Sequence, residues 1–158
     1  MPGGASTTVP MEQPHMVPDQ VNTAAWKEAW TNLVNDVEQG FTPTLPRVLA
    51  VEVDLVVGNP GSTEDLLTLT VLDIDGRVLS VMSKTVQAEN CDQVVFVIPN
   101  GGVEVIPGQT YLLKLNGGTT FGWKYVVGGY AKGAATFNGQ PLLPGERSTF
   151  LFRTFGAN

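Results

Sequence analysis

The segment Leu66 to Val86 constrains the fold more than any other part of the chain. Two apolar, β-branched runs, Leu66-Leu67-Thr68-Leu69-Thr70-Val71-Leu72 and Val78-Leu79-Ser80-Val81-Met82, flank the pair Asp75-Gly76. An Asp-Gly pair between such runs predicts a β-hairpin closed by a two-residue type I′ turn, because that turn needs positive φ at both central positions. Asp tolerates this conformation and Gly adopts it freely.

The same design recurs along the chain: short apolar runs divided by Gly, Pro and Asn. Arg47 to Val57 alternates, with Leu49, Val51, Val53 and Leu55 on one face and Ala50, Glu52 and Asp54 on the other. This predicts a half-buried strand of an antiparallel sheet. Turns follow at Asn59-Pro60-Gly61, Asn100-Gly101-Gly102, Pro107-Gly108 and Gly117-Gly118. Between and after them, strands are expected at Val94–Ile98, Thr110–Asn116, Phe121–Val126, Ala134–Asn138 and Phe150–Phe155. Tyr111, Leu113 and Leu115 share one face, as do Phe121, Trp123 and Tyr125. Strands spaced by about ten residues predict an all-β fold. Helical segments do not alternate with strands, which excludes a parallel α/β fold. The expected architecture is two packed antiparallel sheets with jelly-roll connections, a single sandwich domain over residues 17–158. With 158 residues the chain is long enough for one substantial core.

The N-terminal region reads differently. Residues 1–16 lack periodicity and are expected to form a flexible arm; the alternative is an arm that packs on a second copy through Met11, Met16 and Val17. Trp26 and Trp30 stand four apart, a helical spacing, so Ala24 to Asn35 is expected to be a short helix or an irregular segment.

Charge and composition exclude several functions. Nine basic residues against fifteen acidic ones give a net charge of −6, and the basic residues are scattered. No basic stripe exists for nucleic acid or for an anionic membrane. No apolar run approaches the roughly 20 residues of a membrane span. The first residues show neither a charged nor an apolar leader region, so no signal peptide is read there. The one cysteine, Cys91, forms no intrachain disulfide and reads as a small buried thiol. The one histidine, His15, falls in the arm, away from any nucleophile that it would have to activate.

The acidic residues give no catalytic pattern. Glu52 and Asp54, at i and i+2, would stand about 6.5–7 Å apart, within the range of a glycosidase acid pair. Alternating acids on a strand are more simply its solvated face. Asp73-Ile74-Asp75-Gly76 resembles the opening of a calcium loop but continues as a strand instead of supplying further ligands. The expected protein is not an enzyme.

Five ordered phrases carry a resemblance: Phe41-Thr42-Pro43-Thr44-Leu45, Val51-Glu52-Val53, Pro107-Gly108-Gln109-Thr110-Tyr111, Phe121-Gly122-Trp123-Lys124-Tyr125 and Phe152-Arg153-Thr154-Phe155-Gly156. Together, over Asp19 to Gly156, they resemble a group of uncharacterised bacterial β-sandwich domains. These are similar to the galactose-binding-like, carbohydrate-binding jelly rolls appended to secreted proteins. The resemblance implies a non-catalytic accessory or surface role and favours an extracellular or cell-surface setting; it carries no defined ligand, and a saccharide is the expected one. No cofactor is expected, though the resemblance leaves room for a structural calcium near the start of the domain, held by Asp19, Asp36 or Glu38 with backbone carbonyls. Two positions depart from the group's pattern: Val94-Val95 stands where a Trp is common, and Ser148-Thr149 where an acidic residue is.

Aromatic side chains stack on the C–H faces of sugars, so the candidate ligand residues are Trp123, Tyr125 and Tyr130, with Lys132 and Asn138 as hydrogen-bonding partners. Phe121 and Trp123 read more simply as core. Tyr130, flanked by glycines in a loop, is the expected platform. The competing expectation is a structural module without a small ligand, which forms homo-oligomers through its edge strands and N-terminal arm.

Overall fold

The computed structural model describes residues 15–158. The expected arm, residues 1–16, lies mostly outside the described residues. Fifteen strands follow in chain order. They are β1 (Val17–Asn22), β2 (Trp30–Asn32), β3 (Val37–Phe41), β4 (Arg47–Val53), β5 (Leu55–Val57), β6 (Glu64–Asp73), β7 (Val78–Gln87) and β8 (Val94–Val97). Then come β9 (Val103–Glu104), β10 (Tyr111–Asn116), β11 (Phe121–Val127), β12 (Ala135–Phe137), β13 (Gln140–Pro141), β14 (Ser148–Phe150) and β15 (Phe152–Ala157). The only described helical element is a 3₁₀ turn at Ala88–Asn90.

All strand pairs are antiparallel, and the chain forms a β-sandwich. One layer is a six-stranded sheet in the order β13-β12-β3-β10-β6-β7. Opposite lie a five-stranded sheet, β9-β4-β15-β1 with β8 also on β4, and a small sheet, β14-β11-β2 with β5 also on β11. The small sheet is an addition to the two sheets expected. It arises because two long strands kink as they run from one sheet into the other, at Asp54 between β4 and β5 and at Leu151 between β14 and β15. Hydrogen bonds from Asp54 N–H to Leu151 O and from Leu151 N–H to Lys124 O hold the two kinks side by side.

All three sheets contribute to one core. Phe41, Leu67, Leu69, Leu113 and Leu115 come from the six-stranded sheet, Val51, Val53 and Phe152 from the five-stranded one, and Phe121, Trp123 and Phe150 from the small one. Trp123 stacks on Phe150 with centroids 4.1 Å apart and planes 11° from parallel. The predicted faces of β10 and β11 hold, since period-2 alternation places every second side chain inward. A buried polar clamp ties the layers together: Gln39 Oε1 accepts the Phe150 N–H at 2.7 Å, and Gln39 Nε2 donates to Gly40 O.

Two local expectations are corrected and a third is resolved between its alternatives. The central hairpin forms where predicted, but its loop is Ile74-Asp75-Gly76, with only Gly76 at positive φ (+87°). Gly76 N–H donates to Asp73 O, Asp73 N–H donates to Arg77 O, and the Asp73 carboxylate accepts the N–H groups of Asp75 and Arg77. This is a three-residue loop ending in a glycine bulge, capped by Asp73 and not left to an Asp75 strained into positive φ. In β4 a bulge opposite Phe155/Gly156 shifts the alternation, so that Val48 joins Val51 and Val53 in the core cluster and Leu49 does not. Ala24 to Asn35, expected as a short helix or an irregular segment, is the irregular one apart from the short strand β2. Trp30 begins β2, and the preceding loop is closed by a 2.6 Å hydrogen bond from Trp26 Nε1 to Ala29 O.

Candidate functional site

The expected ligand residues divide into three groups. Trp123 and Tyr130 are core. Trp123 is completely buried, and its Nε1 donates to Leu151 O. Tyr130 is 7% exposed: its ring meets Phe152 edge-on at 5.1 Å. Its hydroxyl donates to Gln20 Oε1 at 2.7 Å and accepts the Thr42 N–H at 3.1 Å. Burial pushes the Tyr130 phenol above its ordinary pKa. The expectation of a Tyr130 platform is therefore corrected; the flanking glycines let the chain turn the ring inward. Lys132 is exposed, and its carbonyl accepts the hydroxyl of Thr42, the residue whose N–H bonds Tyr130.

Tyr125 and Asn138, by contrast, come together. They share an open hollow of about 460 Å³ at the edge of the sandwich with Trp30, Thr31, Phe137, Gln140, Pro141 and Leu142. Tyr125, Phe137 and Leu142 are half-buried side chains packed on the rim of the core. Asn138 sits at positive φ (52°) and exchanges hydrogen bonds with Asp36: its N–H donates to Asp36 O, and its Oδ1 accepts the Asp36 N–H. A second, more apolar hollow of about 310 Å³ also touches Tyr125 and is lined by Ala24, Ala25, Ala29, Val126, Val127 and Leu143 together with Lys27.

The sequence left Trp26 and Trp30 unplaced, and the structure puts both on the outer face of the small sheet. In the β2–β11 pairing, Trp30 stands opposite Lys124 and Asn32 opposite Gly122. Directly opposed residues share a face, so Trp30 points away from Trp123 and Tyr125. Its benzo ring rests across Gly58 and Gly122. A Cβ on Gly58 would fall 2.9 Å from Trp30 Cη2, and one on Gly122 only 2.1 Å from Cε3. The residue remains 40% exposed. Beside it, Lys124 Nζ lies 4.6 Å from the centre of the Trp26 ring, a cation–π contact. The signal available in the sequence was Gly122 itself, a glycine at a strand position where only a close neighbour calls for the missing side chain.

Charged groups border this face. Asp54 lies at the kink after β4, and burial raises its pKa against the opposing pull of Lys124 and Arg153. Glu52 is paired with Arg153 at 3.4 Å. Arg153 therefore neighbours both acids, bonded to Glu52 and acting on Asp54 through its charge. Burial also pushes the Cys91 thiol up, which keeps it protonated at neutral pH.

Two of the residues suggested for calcium, Asp19 and Asp36, are engaged within the protein. The Asp19 carboxylate accepts the Thr44 and Leu45 N–H groups, the Thr44 hydroxyl and the Gln20 amide. Asp36 pairs with Lys114 at 3.5 Å. Among the described residues, no three His, Cys, Asp or Glu side chains are grouped to hold a metal ion.

Comparison with known protein families finds no matching family model, and comparison with curated proteins finds no significant relative.

Proposed function

We propose that this domain is a non-enzymatic carbohydrate-binding accessory module working in an extracellular or cell-surface setting, with Trp30 as its stacking platform. The observation that carries the reading is the exposed Trp30 indole seated on Gly58 and Gly122. A large aromatic surface immobilised on backbone loses little entropy when a ligand covers it. Sugar rings present C–H faces that suit such a surface, and Lys124, Asn32 and Asp54 stand nearby to meet hydroxyl groups. The test is a glycan array run with and without calcium, followed by titration of any hit with Trp30→Ala protein. Binding that falls about tenfold or more supports the platform; unchanged binding removes it.

One observation favours the structural alternative. The outer face of the five-stranded sheet carries Val21, Val95 and Val97, the last 67% exposed, around the Glu52–Arg153 pair. Under that reading the glycan array is blank in both conditions, and sedimentation shows a self-associating protein that Val97→Lys makes monomeric.

A further inference from the structure

Trp30 belongs to two surfaces at once. Its indole lies on the outer face of the small sheet, over Gly58 and Gly122. The same residue borders the open hollow lined by Tyr125, Phe137, Asn138 and Gln140. Between the two lies β2, three residues long and the terminal strand of the small sheet among the described residues. Thr31 is on the hollow side, opposite the buried Trp123. The hollow sets aromatic side chains (Tyr125, Phe137) beside side-chain amides (Asn138, Gln140).

From this continuity we infer that the ligand is an extended oligosaccharide that stacks on Trp30, passes over the β2 edge and places its further residues in the Tyr125–Phe137 hollow. The inference rests on the saccharide reading and deepens it from a sugar to a chain. A monosaccharide covers the indole alone. A longer chain adds a second aromatic contact and the amides of Asn138 and Gln140 as a linked event, which raises affinity without a second association cost. The hollow, at about 460 Å³, lies within the size range of small-molecule sites.

The experiment is calorimetric titration of malto-, cello- and galacto-oligosaccharide ladders from disaccharide to hexasaccharide. In the series that binds, affinity is expected to rise by about tenfold or more along the ladder. Phe137→Ala flattens the rise and leaves the disaccharide unaffected; Gln140→Ala, at an exposed position, does the same in part with the core untouched. Trp30→Ala weakens every member. A flat ladder that still depends on Trp30 overturns the extended ligand and leaves the platform standing. A rising ladder insensitive to both Phe137→Ala and Gln140→Ala also overturns it. Binding indifferent to Trp30→Ala, or no binding in any ladder, overturns the extension together with the reading beneath it.

Discussion

Gly122→Ala is expected to uncouple binding from folding. The added Cβ falls 2.1 Å from Trp30 Cε3 and 2.7 Å from Cδ2, whereas ordinary contact begins at 3.4 Å. The indole must therefore retreat by at least 1.3 Å, which also lifts it from Gly58. The retreat is open to it because Trp30 lies at the surface, 40% exposed. Gly122 is in a strand without positive φ, so alanine fits its backbone and restricts the unfolded chain. Displacing the indole costs about 1–3 kcal/mol as overpacking does, offset in part by the restricted unfolded chain, so the domain should stay folded with a modest loss of stability. Losing a seated aromatic anchor costs about 2 kcal/mol of binding, near thirtyfold in affinity. Calorimetric titration with an array-selected glycan reads the second quantity and differential scanning calorimetry the first. A double-mutant cycle supplies the check: Gly122→Ala adds nothing in a Trp30→Ala background if it acts through the indole. Wild-type affinity in the single variant, or additive losses in the double, would refute the reasoning.

Three further outcomes follow from the same contacts. Tyr130→Phe leaves Gln20 Oε1 and the Thr42 N–H without their shared partner, so the thermal unfolding curve should show a loss of about 1–3 kcal/mol while glycan binding is unchanged. Gln39→Leu orphans the buried Phe150 N–H between the layers and should cost a similar amount, about 1–3 kcal/mol, in urea denaturation. Asp19 is held below its ordinary pKa of 3.8: burial alone would raise it, but the hydrogen bonds from Thr44, Leu45 and Gln20 outweigh that effect. The folded state thus binds this proton less readily than the unfolded one. Its stabilisation is complete above the unfolded pKa and lost as pH falls through the folded value. Urea midpoints should decline more steeply below about pH 4 in the wild type than in Asp19→Asn, and parallel curves would contradict the assignment.

What the sequence made legible was local. Alternation located β10 and β11 and their inward faces, and Asp-Gly located the central hairpin, because both depend on neighbours a few residues apart. The loop type escaped because the Asp73 carboxylate, not the Asp-Gly pair, sets it. The β4 bulge escaped because it is defined by register with β15, near the other end of the chain. Tyr130 looked like a loop residue, yet its hydroxyl partners lie 110 and 88 residues away in sequence. Trp26 and Trp30 share a helical spacing, but pairing of Trp30 with Lys124 draws the segment into a strand and turns Trp30 outward. Tyr125 and Asn138, singled out in the sequence, line one hollow, whereas the seat of Trp30 on its glycines emerges only from long-range pairing.

The central claim is that a sugar stacks on Trp30, and the three tryptophan side chains report on it separately. In a nitrogen–proton NMR spectrum, with the indole Nε1–H signals assigned by single Trp→Phe variants, titration of an array-selected glycan should shift Trp30 most. Trp26, beside it and bonded to Ala29 O, should move less, and the buried Trp123 should stay still. A glycan that binds with affinity undiminished by Trp30→Ala and leaves the Trp30 signal in place would contradict the account.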